Sequence, residues 1–308
     1  MKLSWRDITG RLNLYFYRFI NSIFYLFEKK DEVLVLTAYI KQLGPFLKHY
    51  NLGDDLNFYM FSELSGKKIY NHKHLLNRSK ENIMCIGSIV DGHINRNTLV
   101  WGAGAMYGGD RKLKYRPKKV LAVRGPLTRE YLLSRGVECP EVYGDPALLL
   151  PHIYKPKVEK KYKIGIIPHY IDSEHPWIKK FISDNESVRV ISLTNYADWH
   201  DVIDEIYECE TIISSSLHGL IISDAYSIPN LWVRFSDKIA GGDFKYKDYF
   251  ASVNRITQFS IEITDNVTHE MIIERLSEWK PISYNPDKLI ESCPFEIDKR
   301  KLKIIKQN

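Results

Sequence analysis

Cysteine is scarce in this chain of 308 residues, and the four present, Cys85, Cys139, Cys209 and Cys293, show no C-x-x-C spacing. No secretory leader is evident, so they read as reduced thiols of a cytosolic protein rather than a disulfide framework. Zinc-ligand spacings are missing. So are a Gly-x-x-x-x-Gly-Lys phosphate loop and an Asp-x-Asp pair of the kind that holds a metal–nucleotide complex. These absences argue against a zinc module, a P-loop nucleotidase and a metal-dependent nucleotide-sugar site. Long uninterrupted apolar runs are lacking too, which removes a confident membrane-spanning helix. With hydrophobic residues at 44% and charged residues at 27%, the chain has the means to build a packed core, and its length suits two domains of ordinary size.

Net basic charge is absent from the body and concentrated at the ends. Residues 1–30 carry six Lys/Arg against two acids, and residues 298–308 carry Lys299, Arg300, Lys301, Lys303 and Lys306 against Asp298. The formal net charge of +6 is therefore terminal, and the body between is close to neutral. A nucleic-acid binder needs a basic stripe across its fold, so nucleic acid is not an expected partner. Basic ends suit an anionic membrane surface better. Leu12 to Phe27 is strongly apolar but interrupted by Asn13, Arg18 and Asn21, with Trp5, Arg6 and Arg11 before it and Lys29-Lys30 after. That pattern fits an amphipathic interfacial helix. It also fits an ordinary helix packed on the domain. On the first reading the protein is cytoplasmic, peripheral at the inner face of the cytoplasmic membrane.

From residue 31 short β-branched runs alternate with helical patterns. Strand patterns occur at 33–37, 83–86, 98–101 and 120–123, and again at 164–167, 188–191, 211–213 and 231–233. Helical segments are expected near 175–184, 198–208, 219–227, 243–252 and 268–279. Such alternation implies parallel, doubly wound sheets. The Lys- and Pro-rich stretch 151–161 reads as a linker. The expected organisation is an N-terminal segment 1–30, one α/β domain over 31–152, a second over 161–284, and a basic C-terminal segment 285–308 that either crosses back or stays loose.

The most telling stretch is Thr211-Ile-Ile-Ser-Ser-Ser-Leu-His-Gly219. It reads as strand, tight turn, helix, and places an imidazole and several hydroxyls at the carboxyl end of a parallel strand. Ligands bind at that edge of open α/β sheets, and helix N-termini attract anions. An imidazole there can move protons near neutral pH. Arg124 follows another strand, just before Gly125-Pro126 and a helix start.

Four blocks in order make the chain resemble the polysaccharide pyruvyl transferases. They are Asn51-Leu-Gly-Asp-Asp-Leu, Ala122-Val-Arg-Gly-Pro-Leu-Thr-Arg129, Tyr143-Gly-Asp-Pro-Ala-Leu-Leu-Leu150, and Ser215-Ser-Leu-His-Gly with Ala225-Tyr-Ser-Ile-Pro229. The resemblance covers about residues 33–252. Its first block is most like the branch that makes pyruvate ketals on succinoglycan-type exopolysaccharides. It implies two Rossmann-like domains facing a cleft, as in glycosyltransferase B folds. It implies phosphoenolpyruvate as donor and co-substrate, no metal or other cofactor, and a lipid-linked or polymeric saccharide of a bacterial cell-surface or exopolysaccharide precursor as acceptor.

On that resemblance His218 is the expected acid–base residue. Arg124, Arg234, Ser215, Ser216, Leu217 and Gly219 are expected around the donor. Asp54, Gly102 and Gly104 are expected toward the acceptor, and Asp145 is expected to be structural. Many relatives have Arg where this chain has Ser216, which weakens a direct transfer of the anion-binding role: either Arg234 compensates, or this branch holds its donor differently. Two other functions share the same sequence features: a nucleotide-sugar glycosyltransferase of the same fold, and a non-enzymatic scaffold of a polysaccharide assembly complex. A scaffold has no need of the Leu217-His218-Gly219 block.

Overall fold

The computed structural model describes residues 5–38, 51–77, 80–109, 111–255 and 260–298, and side chains from residue 15 onward. The basic stretch 299–308 lies outside the described residues. Among the described residues ten strands form two all-parallel five-stranded sheets. The first holds β1 (Val33–Leu36), β2 (Lys68–Asn71), β3 (Asn82–Met84), β4 (Thr98–Trp101) and β5 (Lys119–Ala122) in the order β2-β1-β3-β4-β5. The second holds β6 (Tyr162–Ile167), β7 (Val188–Val190), β8 (Cys209–Ser214), β9 (Asn230–Arg234) and β10 (Ile261–Glu262) in the order β10-β9-β8-β6-β7. Counted from its own first strand, each sheet has the doubly wound order 2-1-3-4-5, consistent with two Rossmann-like units. Its topological switch point falls between the first and third strands. In this molecule those points are β1/β3 and β6/β8.

Eleven helices are described: α1 (Trp5–Phe27), α2 (Leu52–Ser65), α3 (Val90–His93), α4 (Pro126–Leu133), α5 (Leu150–Ile153), α6 (Pro176–Ser183), α7 (Trp199–Tyr207), α8 (Leu217–Ala225), α9 (Phe244–Ser252), α10 (His269–Ser277) and α11 (Asp287–Glu291). Local chemistry sets their ends. The Asn51 side chain accepts from the Gly53 N–H at the start of α2, two acids follow in the first turn, and Gly66 ends the helix with φ 66. Helix α5 runs through Pro151, so the expected linker starts after it, and α8 begins at Leu217, two residues earlier than the pattern suggested. His218 therefore sits in the first turn of a helix rather than ahead of it.

One hydrophobic cluster contains buried residues of both sheets, among them Leu36 and Trp101 from the first and Ile167, Ile212 and Trp232 from the second. Beyond the second sheet the chain crosses back. The Trp101 indole N–H donates to the Leu289 carbonyl at 2.9 Å, and Phe295 meets Phe61 and Trp101 edge to face. The Asp298 N–H then donates to the Leu64 carbonyl at 2.7 Å.

Candidate active site

Both switch points open on one cavity of about 1020 Å³. The first sheet supplies Asn51, Asp54 and Asp55 after β1 and Gly87 and Ser88 after β3. The second supplies His169 after β6 and Ser216, Leu217 and His218 after β8. Lys245 of α9 and three residues of α1, Tyr17, Asn21 and Phe24, complete parts of the wall.

His218 is buried. Its ring lies against the backbone of Gly53, where a Cβ would come within 1.9 Å of Nδ1. Nε2 has no hydrogen-bond partner, and the nearest carboxylate, Asp145 Oδ2, is 3.9 Å away, beyond hydrogen-bonding range. Burial, then the charges of Arg124 and Lys245, push the imidazole down to about 3. It is neutral at pH 7, with a lone pair or proton on Nε2 uncommitted. The frame around it is held by hydrogen bonds. Ser214 Oγ donates to the Ile167 carbonyl and accepts from the Ser216 N–H. Ser215 Oγ accepts from the His169 N–H at 2.8 Å, and its carbonyl accepts from the Tyr246 hydroxyl.

The block beginning at Asn51 shapes the adjoining wall. Asn57 pins α2 to the end of β3: its amide donates to the Ile86 carbonyl and its oxygen accepts from the Ile86 N–H. Asp54 is thereby held beside Gly87. Burial, reinforced by Asp55, raises its carboxyl to about 7, while the Asn51 amide hydrogen bond, Lys73 and Lys245 pull the other way. Asp55 accepts from the Tyr196 hydroxyl of the second half, and the Leu52 N–H donates to the Leu193 carbonyl at 2.7 Å. Asp54 and His218 thus titrate far apart, in opposite senses, in one cavity. Such separation suits an acid and a base.

The other residues expected from the sequence are placed differently. Arg124 is fully buried. Its guanidinium is consumed by Asp248 (Nε to Oδ2, 3.0 Å), Ser88 Oγ and the Ala105 carbonyl, so it stands behind the wall rather than in it. Arg234 does not reach this cavity. It lines a separate pocket of about 70 Å³ and pairs with Asp243, Asp237 and Glu262. Gly104 makes room for Arg124, whose Cζ would lie 2.2 Å from a Cβ there. Gly102, at φ +93, makes room for Pro146 in the same way. Neither glycine lines the cavity. Gly219 packs on Ser214 and Ile167. Ser215 is a strut, whereas Ser216, Leu217 and His218 face the cavity.

Sequence reasoning missed Lys245 and His169. Lys245 is buried on the cavity wall, its ammonium 5.2 Å from the Tyr246 ring centroid, and burial and Arg124 lower it to about 8. His169, lowered to about 4 by burial and by Lys245, had no partner pattern in the sequence. The one available signal for Lys245 was its place just after Gly241-Gly242, where a turn meets a helix. Among the described residues no group of three His, Cys, Asp or Glu side chains is placed to hold a metal ion.

Residues 33–237 match the family model described as polysaccharide pyruvyl transferase. The chain is 30% identical over 213 residues to an uncharacterized protein of Acanthamoeba polyphaga mimivirus, covering 67% of this chain and 72% of that one. It is 28% identical over 211 residues to the succinoglycan biosynthesis protein ExoV of Rhizobium meliloti (strain 1021), covering 66% of this chain and 61% of that protein.

Proposed function

The chain belongs to the polysaccharide pyruvyl transferase family, and from that premise we propose that it builds a pyruvate ketal on a sugar of a bacterial cell-surface or exopolysaccharide precursor, with phosphoenolpyruvate as donor. The cavity is read as the substrate cleft of a glycosyltransferase B-like pair of domains divided within residues 151–161. A proton goes to the methylene carbon of the donor while a sugar hydroxyl adds to the neighbouring carbon and gives up its own proton. Phosphate then leaves with the bonding electrons. A second hydroxyl adds to the oxocarbenium-like centre, and its proton passes to the site. Nothing in this sequence of steps needs a cofactor beyond the co-substrate.

The observation that carries the reading is His218: a buried imidazole with an unbonded Nε2, in the first turn of α8, sharing with Asp54 a cavity built by both switch points. The positive end of α8 favours an anion beside it. A bound phosphate dianion raises the His218 pKa, so the ring gains its proton chiefly in the donor complex. Asp54, near 7, is suited to trade a proton with a sugar hydroxyl.

The acceptor is read as lipid-linked or polymeric, met at the inner face of the cytoplasmic membrane. No described helix is long and apolar enough to cross a membrane. Helix α1 offers a surface instead. One face lines the cavity, and Arg18 donates to the Lys73 carbonyl, whereas Phe16 and Phe27 are 66% and 85% exposed. The basic residues of 1–30 add attraction to anionic lipid. A sugar carried on a membrane lipid would then enter the cavity beside α1.

The test is incubation with phosphoenolpyruvate and lipid-linked oligosaccharides, reading phosphate release and ketal formation by mass. Stoichiometric phosphate and ketal are expected, and both are lost in His218→Ala. Thermal protection by a nucleotide sugar but not by phosphoenolpyruvate would transfer the chain to glycosyl transfer.

A further inference from the structure

A donor with a phosphate and a carboxylate needs cations, and the two arginines named from the sequence are already committed. Arg124 is neutralised by Asp248 in the core, and Arg234 is held by three acids in another pocket. Lys245 is in a different position. It is only 6% exposed, lines the cavity with Ser216, Leu217 and His218, and has no hydrogen bond or ion pair among the described residues. It also sits in the first turn of α9, where the helix dipole disfavours a cation. A buried ammonium without an ion pair is costly, and the Tyr246 ring and the charge of Asp54 offset only part of that cost, since Lys245 is still lowered to about 8.

A second feature points into the same space. Ser216 is the N-cap of the nine-residue helix α8, yet its side chain makes no capping hydrogen bond. The first N–H groups of a helix have no partner within it. Lys245 also lies close enough to His218 and His169 to depress both imidazoles. Positive potential therefore gathers in the cavity at Lys245 and the α8 terminus. The carboxyl of Asp54 is close enough to Lys245 for each to shift the other's titration.

We propose that Lys245 and the N-terminal turn of α8 at Ser216–His218 form the anion site of this enzyme, and that Lys245 binds the phosphate of the donor. This rests on the pyruvyl transfer reading for the identity of the donor, but the anion site itself does not. Ser216 then needs no cationic side chain, because the charge arrives from α9 instead. The phosphate lies against the His218 ring, where its charge favours the imidazolium.

Lys245→Met, close in length and neutral, separates this from a structural role. Binding of inorganic phosphate and of phosphoenolpyruvate is measured calorimetrically for the wild type, Lys245→Met and Lys245→Arg, together with the Tm of each without added anion. Lys245→Met is expected to weaken both anions by about 10- to 100-fold, the worth of a charge-assisted hydrogen bond, and to raise KM for phosphoenolpyruvate more than it lowers kcat. Its Tm without anion should be equal to or above that of the wild type, since an uncompensated buried charge is gone. Lys245→Arg should recover part of the affinity. Unchanged phosphate affinity in Lys245→Met, or a Tm several degrees lower, overturns the proposal. Phosphate binding through Lys245 without any ketal product would leave the anion site standing and remove the pyruvyl transfer reading.

Discussion

Gly53 shows why a single missing side chain matters here. It lies in the first turn of α2, on the first half of the molecule, and the His218 ring from the second half fills the space a methyl group would take. Nothing in the sequence marks Gly53 as the partner of His218, and only the fold reveals it, because the two residues are far apart along the chain. Helical backbone accepts alanine, so Gly53→Ala should fold, but the imidazole must move. A displacement of about 1 Å at a reacting group can cost about 10²-fold in rate. We expect kcat to fall by about that factor, with the far-UV circular dichroism unchanged. His218→Ala removes the group itself and should lower kcat by about 10²–10⁴-fold, the usual range for a lost acid–base residue. Steady-state phosphate release measures both, and near-normal turnover in His218→Ala would make the ring a packing residue. The histidine was legible because strand, turn and helix patterns surrounded it. Lys245 was not, because a lysine at the start of a helix is ordinarily a surface residue and its burial comes from the opposing half.

At the level of elements, the block Arg124-Gly-Pro-Leu-Thr128 is a socket for α9. Helix α4 has Gly125 as N-cap and no side chain of its own to cap it. Asp248 of α9 does so from outside, accepting from the Thr128 N–H at 2.8 Å and from Thr128 Oγ1 at 2.7 Å while pairing with Arg124. The close approach needs Gly125, since a Cβ there would lie 1.9 Å from the Asp248 carbonyl oxygen. Asp248→Ala would strand a buried guanidinium and uncap α4. Breaking a buried pair in this way typically costs about 3–5 kcal/mol, to be read as a lower urea midpoint with the m-value retained. Loss of less than about 1 kcal/mol would mean that the pair is solvated. Helix α1 has the opposite character, with aromatic side chains facing outward. Replacing Phe16, Phe19 and Phe27 together by Ser leaves the cavity residues Tyr17, Asn21 and Phe24 in place. Sedimentation with anionic liposomes should then drop severalfold while turnover on a soluble acceptor persists. Equal sedimentation would send the membrane contact elsewhere.

For the molecule as a whole, the doubled α/β plan was visible in the alternation of apolar runs, and the parallel sheets follow from it. Two strands were not visible. β2, Lys-Ile-Tyr-Asn, lies at the edge of its sheet and is half polar, and β10 is two residues long at the opposite kind of edge. Edge strands lack the continuous apolar signature that double-sided burial imposes. The return of residues 285–298 to the first sheet has no periodic signal either, since it rests on isolated contacts such as Leu289 and Phe295. Burying so many titratable groups gives the fold a defined response to acid. His74, His93 and His169 are lowered to about 4 and His218 to about 3, with burial the first cause in each case. An unfolded chain takes up these protons near 6.5, so each histidine favours unfolding progressively as the pH falls from 6.5 toward 4. Asp54 and Asp145, raised to about 7 and about 6, work in the other direction, because the folded state keeps protons that the unfolded chain releases above about 4. Four histidines outweigh two carboxylates across that window, and Tm should be lower at pH 5 than at pH 7 at constant ionic strength. His74 stacks edge-on against Tyr17 of α1, so His74→Phe keeps an aromatic partner while removing one titrating group. Its Tm should fall less between pH 7 and pH 5 than that of the wild type. An equal fall would mean that His74 is protonated in the folded state, and that the packing of α1 against it is wetter than its burial implies.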